Sequence, residues 1–487
     1  MGLTSQLGRR FRAEFTAKII AVVCGGILTV ALARLLNPNS YGLLFLAISV
    51  FGVTELFSKL GVAKSTARYI TTYKETDPGQ IRHIVKFGFI LNISTIIIVC
   101  TGFYFSYEYI ANWINEPSLV PFLAIGVLYI GFHSLTTFFR LTLQGFEAIQ
   151  ASAALHSIDR VSRLLFALGF VLLGFGALGA LVGYVIAFIL ASSFGAAYLY
   201  FYHFQGLERS QRESGLRRRL VEYMVPLTAT GTADVLDKRV DMILLGFFIG
   251  PTAVAFYTVG KQVVTFIETP MSALGFTLSP TYEAQKARGN ASTAAKIYEE
   301  ALSHGLLLYV PAAAGLILVA EPLIDVFFGS AYLGAVPVLQ ILAIYAILQS
   351  VTKLTSNGLD YLGRARERAI VKGITAVMNV ILNVILIPSI GVVGAALSTV
   401  ITYSIYTLAN VYIINLELDL RTDWLLRHTV SVLFVTAAMS TIVYAFVGLV
   451  TGLVSLFAVV GLGVAIWMIL VVGTGLLEPK RLVSILS

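Results

Sequence analysis

About fourteen apolar stretches of roughly 20 residues follow one another along this chain, and the segments that join them alternate between two kinds. One kind, near residues 61–86, 141–160, 203–222, 282–300, 360–372, 415–427 and 478–487, is rich in Lys and Arg. The other, near 36–41, 106–117, 174–178, 249–253, 320–334, 387–391 and 448–453, contains neither. A stretch of this length crosses a bilayer as a helix, because a helix satisfies every backbone group inside its own segment. The one-sided bases are the positive-inside pattern, which predicts an even number of spans and both termini in the cytoplasm. The expected fold class is an all-α polytopic membrane protein, multi-pass in the cell membrane.

Composition enters to exclude other classes. The chain is 57% hydrophobic and 12% charged, too little charge for the surface of a soluble domain. A net charge of +8 would suit nucleic acid in a soluble protein. Here the bases flank apolar stretches, where they set orientation and meet anionic headgroups, so no nucleic-acid partner is expected. Cys24 and Cys100 lie inside apolar stretches and are expected as buried thiols. The histidines (His83, His133, His156, His203, His304 and His428) lack metal-ligand spacing, so no metal and no other cofactor is expected. Arg9, Arg10 and Arg12 precede an apolar run from Phe15 to Leu36 that is too long for a signal peptide, which predicts a retained first helix.

The expected spans are 14–36, 41–60, 83–106, 118–140, 157–174, 178–202, 223–248, 253–278, 301–320, 334–353, 370–387, 391–414, 428–448 and 453–476. Short Pro and Gly turns at Asn37-Pro38-Asn39, Gly250-Pro251 and Pro388 to Gly391 predict antiparallel neighbours. Residues 62–75 and 284–301 mix Ala, Tyr, Lys and Glu, as amphipathic helices on the inner surface do. An internal repeat is visible. Gly176-Ala177-Leu178-Gly179-Ala180 and Gly391-Val392-Val393-Gly394-Ala395 share a GxxGA pattern 215 positions apart, and Ile186 and Ile401 keep that offset. The outer turns at Pro38 and Pro251 lie 213 apart. A duplication of six helices gives two halves of one orientation. The expected organisation is an N-lobe over 1–202, a basic cytoplasmic linker over 203–222, a C-lobe over 223–414, and an added helix pair with a tail over 415–487.

Tyr104, Tyr107, Tyr109 and Trp113 on the outer side, and Tyr198, Tyr200 and Tyr202 on the inner side, read as interfacial belts. Ionisable side chains at mid-bilayer mark a pathway, a relay or a pair. The span 223–248 holds Asp234, Asp237, Lys238, Arg239 and Asp241. At about 100° per residue, Asp234, Asp237, Lys238 and Asp241 share one face, and Arg239 points away from it. That face is expected either on a water-filled cleft or in a network locking two lobes together. Lys261 and Glu268 are seven apart on the next span. Glu55 and Lys59 are spaced i,i+4, with Lys59 close enough to the inner edge to snorkel. Arg34 lies one turn from the outer surface, where it either snorkels or guards a cleft. Arg140 and Lys353 fit orientation charges, and His133, Asn379 and Asn383 fit interhelical hydrogen bonds.

Two segments carry a family resemblance. Leu32-Ala33-Arg34-Leu35-Leu36-Asn37-Pro38, running into Tyr41-Gly42, is one; Asp241-Met242-Ile243-Leu244-Leu245-Gly246, followed by Tyr257, is the other. Both resemble the Wzx-type polysaccharide transporters of the MOP (multidrug/oligosaccharidyl-lipid/polysaccharide) superfamily. The resemblance implies a flippase that moves a lipid-linked oligosaccharide, on a polyprenyl phosphate or pyrophosphate, from the inner to the outer leaflet by alternating access. In that reading Lys238, Arg239 and Lys261, with Arg34, meet the headgroup phosphates, since fixed cations suit them. Asp234, Asp237, Asp241, Glu55 or Glu268 bind a coupling H+ or Na+, or consumption of the flipped lipid drives transport with no coupling ion. Expected partners are the lipid-linked glycan, membrane lipids and glycan-assembly enzymes, and a two-lobed cleft works as a monomer.

One rival is a cation-coupled multidrug exporter of the same superfamily, which typically has twelve spans. Another is a membrane glycan polymerase or ligase. The outer loops here are short and lack His and Arg, so no enzyme is expected. No Gly-rich phosphate loop is present in an ATPase context, which argues against ATP as the direct energy source.

Overall fold

The computed structural model describes residues 3–207 and 210–476, apart from the side chains of 3–11, 230, 233, 234, 237, 268–270, 272–274, 276, 277 and 280. Every regular element among them is helical. The first compact unit, Met1–Ala255, contains α1 (Leu3–Leu35), α2 (Pro38–Lys59), α3 (Val62–Thr76), α4 (Ile81–Trp113), α5 (Val120–Gly145), α6 (Ile149–Phe170), α7 (Gly176–Leu199) and α8 (Leu216–Phe248). α9 (Pro251–Ala287) begins in this unit and continues into the second, Phe256–Ser487. There it is followed by α10 (Ala291–Leu318), α11 (Ala320–Phe328), α12 (Val336–Tyr361), α13 (Ala365–Ile390), α14 (Val392–Leu418), α15 (Thr422–Val447) and α16 (Leu453–Gly473).

Local chemistry sets the helix ends. Asn37 caps α2 by accepting from the Ser40 backbone N–H at 2.8 Å, with Pro38 in the first turn, where its missing N–H costs nothing. α3 is the expected amphipathic helix. Val62, Ala63, Ile70 and Tyr73 are buried while Lys64, Arg68 and Thr72 are exposed.

The linker after α7 is pinned to α3 and to the turn before α4. Gln80 accepts from the Glu213 backbone N–H at 3.0 Å and donates to the Gln211 carbonyl at 2.8 Å. Tyr73 donates its phenol proton to Glu213, and Arg219 reaches the other Glu213 oxygen at 2.6 Å.

Several boundaries depart from the sequence expectation. The second inner amphipathic helix is not a separate element. α9 runs on to Ala287 and α10 starts at Ala291, so a tight turn with Gly289 at φ 77 replaces it. The outer stretch 320–334 folds its first nine residues into α11. α6 begins at Ile149, before the expected 157, so residues 149–156 are helical and not part of an inner loop.

Eleven stretches among the described residues are long and apolar enough to cross a membrane, and one of them, Ile149–Phe204, contains both α6 and α7. α8 and α9 are 33 and 37 residues long, and charges in their middles lower their apolarity. The chain is an all-helical, multi-pass membrane protein.

The GxxGA repeat has a common backbone. Gly176 adopts φ 56, ψ −148 and Gly391 adopts φ 68, ψ −145, a combination open only to glycine. Each turns the chain into a closely packed hairpin, α6 with α7 and α13 with α14. A Cβ on Gly183 would lie 2.4 Å from the Ala167 nitrogen, and one on Gly394 would lie 2.4 Å from the Leu386 oxygen.

Candidate functional site

In the first unit α2 and α8 run antiparallel, and small residues decide how closely. At one end a Cβ on Gly42 would sit 1.8 Å from the Pro251 carbonyl oxygen, so the backbones touch. Leu46 covers Gly246, and the Ser49 hydroxyl donates to the Met242 sulfur at 3.0 Å. Arg239 lies across Gly52. The helices then part around a cavity of about 190 Å³, walled by Gly52, Glu55 and Lys59 on α2 and Thr228, Gly231 and Val235 on α8. They meet again where Gly61 packs on Met224 and Leu227, and where Ser65 donates to the Leu220 carbonyl at 2.9 Å.

A charged network lines this cavity and runs behind it. Lys59 Nζ donates to Glu55 Oε2 at 2.7 Å. The other Glu55 oxygen lies 2.6 Å from His133 Nδ1 on α5, and Glu55 is buried. The His133 ring stacks on Phe188 of α7 at 4.5 Å. Arg163 of α6 is also against Phe188, its guanidinium 4.8 Å from that ring and 5.0 Å from the Tyr184 ring. One Arg163 nitrogen donates to both oxygens of buried Asp159, at 2.6 and 2.8 Å. Tyr129 sits among these groups, within electrostatic range of Glu55, Arg163 and Arg239. Lipid cannot surround such a network. Each charge is instead matched by an opposite charge or an aromatic face.

The second unit holds a groove of opposite character. About 330 Å³ of space is enclosed by Leu308, Gly315 and Leu316 of α10, Met439 of α15, and Val464 and Trp467 of α16. Its lining is almost wholly apolar. Leu308 and Val464 are more than half exposed, so the groove opens sideways.

The family model described as polysaccharide biosynthesis protein matches residues 31–337 of this chain, well over half its length. The chain belongs to that family. It is 22% identical over 420 residues to the lipopolysaccharide biosynthesis protein WzxC of Escherichia coli, covering 82% of this chain and 78% of that protein. It is 26% identical over 198 residues to Agl15 of Haloferax volcanii, described as a probable low-salt glycan biosynthesis flippase, covering 41% of this chain and 42% of that one. Among solved structures, the lipid II flippase MurJ in an inward closed conformation shares the fold. Its TM-score is 0.74 at 16% identity, over 93% of this chain and 97% of that one. An inward-facing multidrug resistance transporter of the MOP superfamily also shares the fold, with a TM-score of 0.68 at 14% identity over 81% of this chain and 94% of that one.

Within this family member the residues singled out from sequence fall in different places. Glu55 is in the network, and Arg239 closes the cavity against Gly52. Asp241 is fully buried on α8, whereas Lys238, three positions earlier, is exposed. Arg34 is exposed in the last turn of α1. Lys261, in the second unit, lies 5.2 Å from the Tyr257 ring, whose hydroxyl is 3.0 Å from Thr399 Oγ1. Asp234, Asp237 and Glu268 lie outside the described residues. Asn379 donates to Thr402 of α14 at 3.4 Å, the interhelical bonding expected of it, while Asn383 donates to Asn379 on the same helix at 2.9 Å.

Asp159, Arg160 and Arg163 are residues that sequence reasoning passed over. All three fell inside the expected span 157–174, and the i,i+4 spacing of Asp159 and Arg163 was a usable signal.

Proposed function

We propose that this protein flips a lipid-linked oligosaccharide, carried on a polyprenyl phosphate or pyrophosphate, from the inner to the outer leaflet by alternating access between its two lobes. The observation that carries this reading is the apolar groove between α10, α15 and α16. A polyprenyl chain needs a dry, side-open channel, since each buried CH₂ contributes about 0.8 kcal/mol. A soluble drug has no need of a lateral slot of that kind, so the groove favours a lipid cargo over the multidrug-exporter alternative. The relatives' names, with a lipopolysaccharide biosynthesis protein and a glycan flippase among them, point the same way.

The remaining parts follow from the chemistry of the cargo. Sugars stripped of water cost several kcal/mol per unpaired hydroxyl, so they need a hydrated cleft. Phosphates need cations, for which Lys238, Arg239, Lys261 and Arg34 are the candidates. Asp241 and Glu55, with Asp234, Asp237 and Glu268, are candidates for a coupling H+ or Na+. The reading takes α6 and α7 as separate spans and adds α8 and α9, giving fourteen spans with both termini in the cytoplasm.

The test is flipping in proteoliposomes. Purified protein is reconstituted with a fluorescent polyprenyl-pyrophosphate glycan, and exposure of the label to an impermeant quencher is followed with and without a pH or Na+ gradient. Protein-dependent movement supports the reading, and dependence on a gradient assigns the acids a coupling role. No movement across several glycans, together with gradient-driven uptake of a cationic dye, would replace it with drug export.

A further inference from the structure

On α6, His156, Arg160 and Arg163 follow one another at i, i+4 and i+7, which places them on one stripe of the helix. α6 is 22 residues long, about the thickness of the hydrocarbon core. Arg160 therefore lies about 16 Å along α6 from its start and Arg163 about 21 Å. Two guanidinium groups share a single carboxylate there. Asp159 is taken by Arg163 through two short hydrogen bonds, while Arg160 Nε stands 3.7 Å from it without a hydrogen bond.

The Nε–H groups of Arg160 and Arg163 are both buried and have no hydrogen-bond partner among the described residues. Arg160 nevertheless keeps 36% of its side-chain surface accessible. An arginine on a membrane-spanning helix with an accessible face and one positive charge in excess is costly to leave against hydrocarbon. What such a group lacks is an anion rich in acceptor oxygens.

We infer that Arg160 and Arg163 on α6 form a binding subsite for the phosphate or pyrophosphate that links glycan to lipid. This rests on the flippase reading and deepens it by adding residues to the headgroup site. Asp159 acts as a positioning residue, fixing Arg163 so that its Nε–H points in a set direction. Arg160 supplies the uncompensated charge, and a planar guanidinium can engage two phosphate oxygens at once.

The experiment measures binding of farnesyl pyrophosphate, farnesol and inorganic pyrophosphate to full-length protein in nanodiscs, together with glycan flipping in proteoliposomes. Arg160→Gln is expected to weaken farnesyl pyrophosphate at least tenfold, with farnesol binding and thermal unfolding unchanged and Arg160→Lys restoring part of the loss. A paired variant, Asp159→Asn with Arg163→Gln, removes the ion pair without stranding a charge and is expected to weaken the same probe. Unchanged affinity in both variants, with wild-type flipping intact, overturns the subsite and leaves the flippase reading standing. Inorganic pyrophosphate bound as tightly as farnesyl pyrophosphate overturns the assignment to a lipid headgroup. Wild-type protein that neither binds farnesyl pyrophosphate nor flips the glycan removes the reading and the subsite together.

Discussion

Glu55 on α2 and His133 on α5 stand 2.6 Å apart through Oε1 and Nδ1, tying the wall of the α2–α8 cavity to the middle of the first unit. Lys59 holds the second oxygen, so the carboxylate is matched on both sides. Removing His133 takes a hydrogen-bond partner from a buried carboxylate, which costs about 1.5–3 kcal/mol. His133→Ala is expected to lower the thermal unfolding midpoint in detergent markedly. Lys59→Ala, at the more accessible end, is expected to lower it less. Equal effects would mean that Glu55 draws its stabilisation from solvent and not from His133.

A second prediction concerns the packing of α2 on the start of α9 and on α8. Gly42 has no room for a side chain, because the Pro251 carbonyl oxygen occupies the place a Cβ would take. Gly42→Ala is expected to force the two backbones apart and to destabilise by about 1–3 kcal/mol, as overpacking does. Gly52→Ala, which meets only the movable Arg239 side chain at 3.0 Å, is expected to be tolerated. Thermal unfolding of the two variants side by side checks this.

The pinned linker gives a pH dependence. The Tyr73 and Arg219 hydrogen bonds hold the Glu213 carboxyl below its ordinary value of 4.5. A carboxylate lowered on folding stabilises the folded arrangement above its ordinary value, and that contribution is lost as pH falls through the lowered one. At the other extreme, burial and the bond to Glu213 push the Tyr73 phenol up to about 12 from 10.0, so its contribution persists to pH 10 and fades towards 12. A spin label at exposed Ser214 is expected to gain mobility below pH 4 and above pH 11, and to stay restrained between. Mobility that does not vary with pH would mean that the linker is held by Gln80 alone.

The groove offers a test on chain length. A side chain at Gly315 enters open space, since no atom lies within 4 Å of an added Cβ. Gly315→Phe is therefore expected to fill the groove without strain. Flipping of a long polyprenyl carrier is expected to fall about tenfold, equivalent to about 1.4 kcal/mol, while a short prenyl carrier is moved almost as before. Equal losses for both carriers would detach the groove from the lipid tail.

The spans were legible because hydropathy and one-sided charge are properties of local sequence, and α3 was legible from its amphipathic pattern. The start of α6 was not. Residues 149–156 lay in the expected inner connection, and the helix begins at Ile149 without a side-chain cap to announce it. Contacts between distant segments were equally hidden. His133 was expected to hydrogen-bond across helices, but its partner lies 78 positions away and emerges only when α2 packs on α5. For Lys59, an i,i+4 partner and a snorkelling path were both available in the sequence, and the fold supplies the partner.

The matching turns at Gly176 and Gly391 carry a consequence for how this chain can evolve. Both turns use a backbone state closed to every residue but glycine, so neither position takes another side chain without rebuilding its hairpin. They are fixed marks from which the halves can be laid over each other, and substitutions tolerated around one turn become forecasts for the other. A saturation library at the two sites should return a pair of matching blanks.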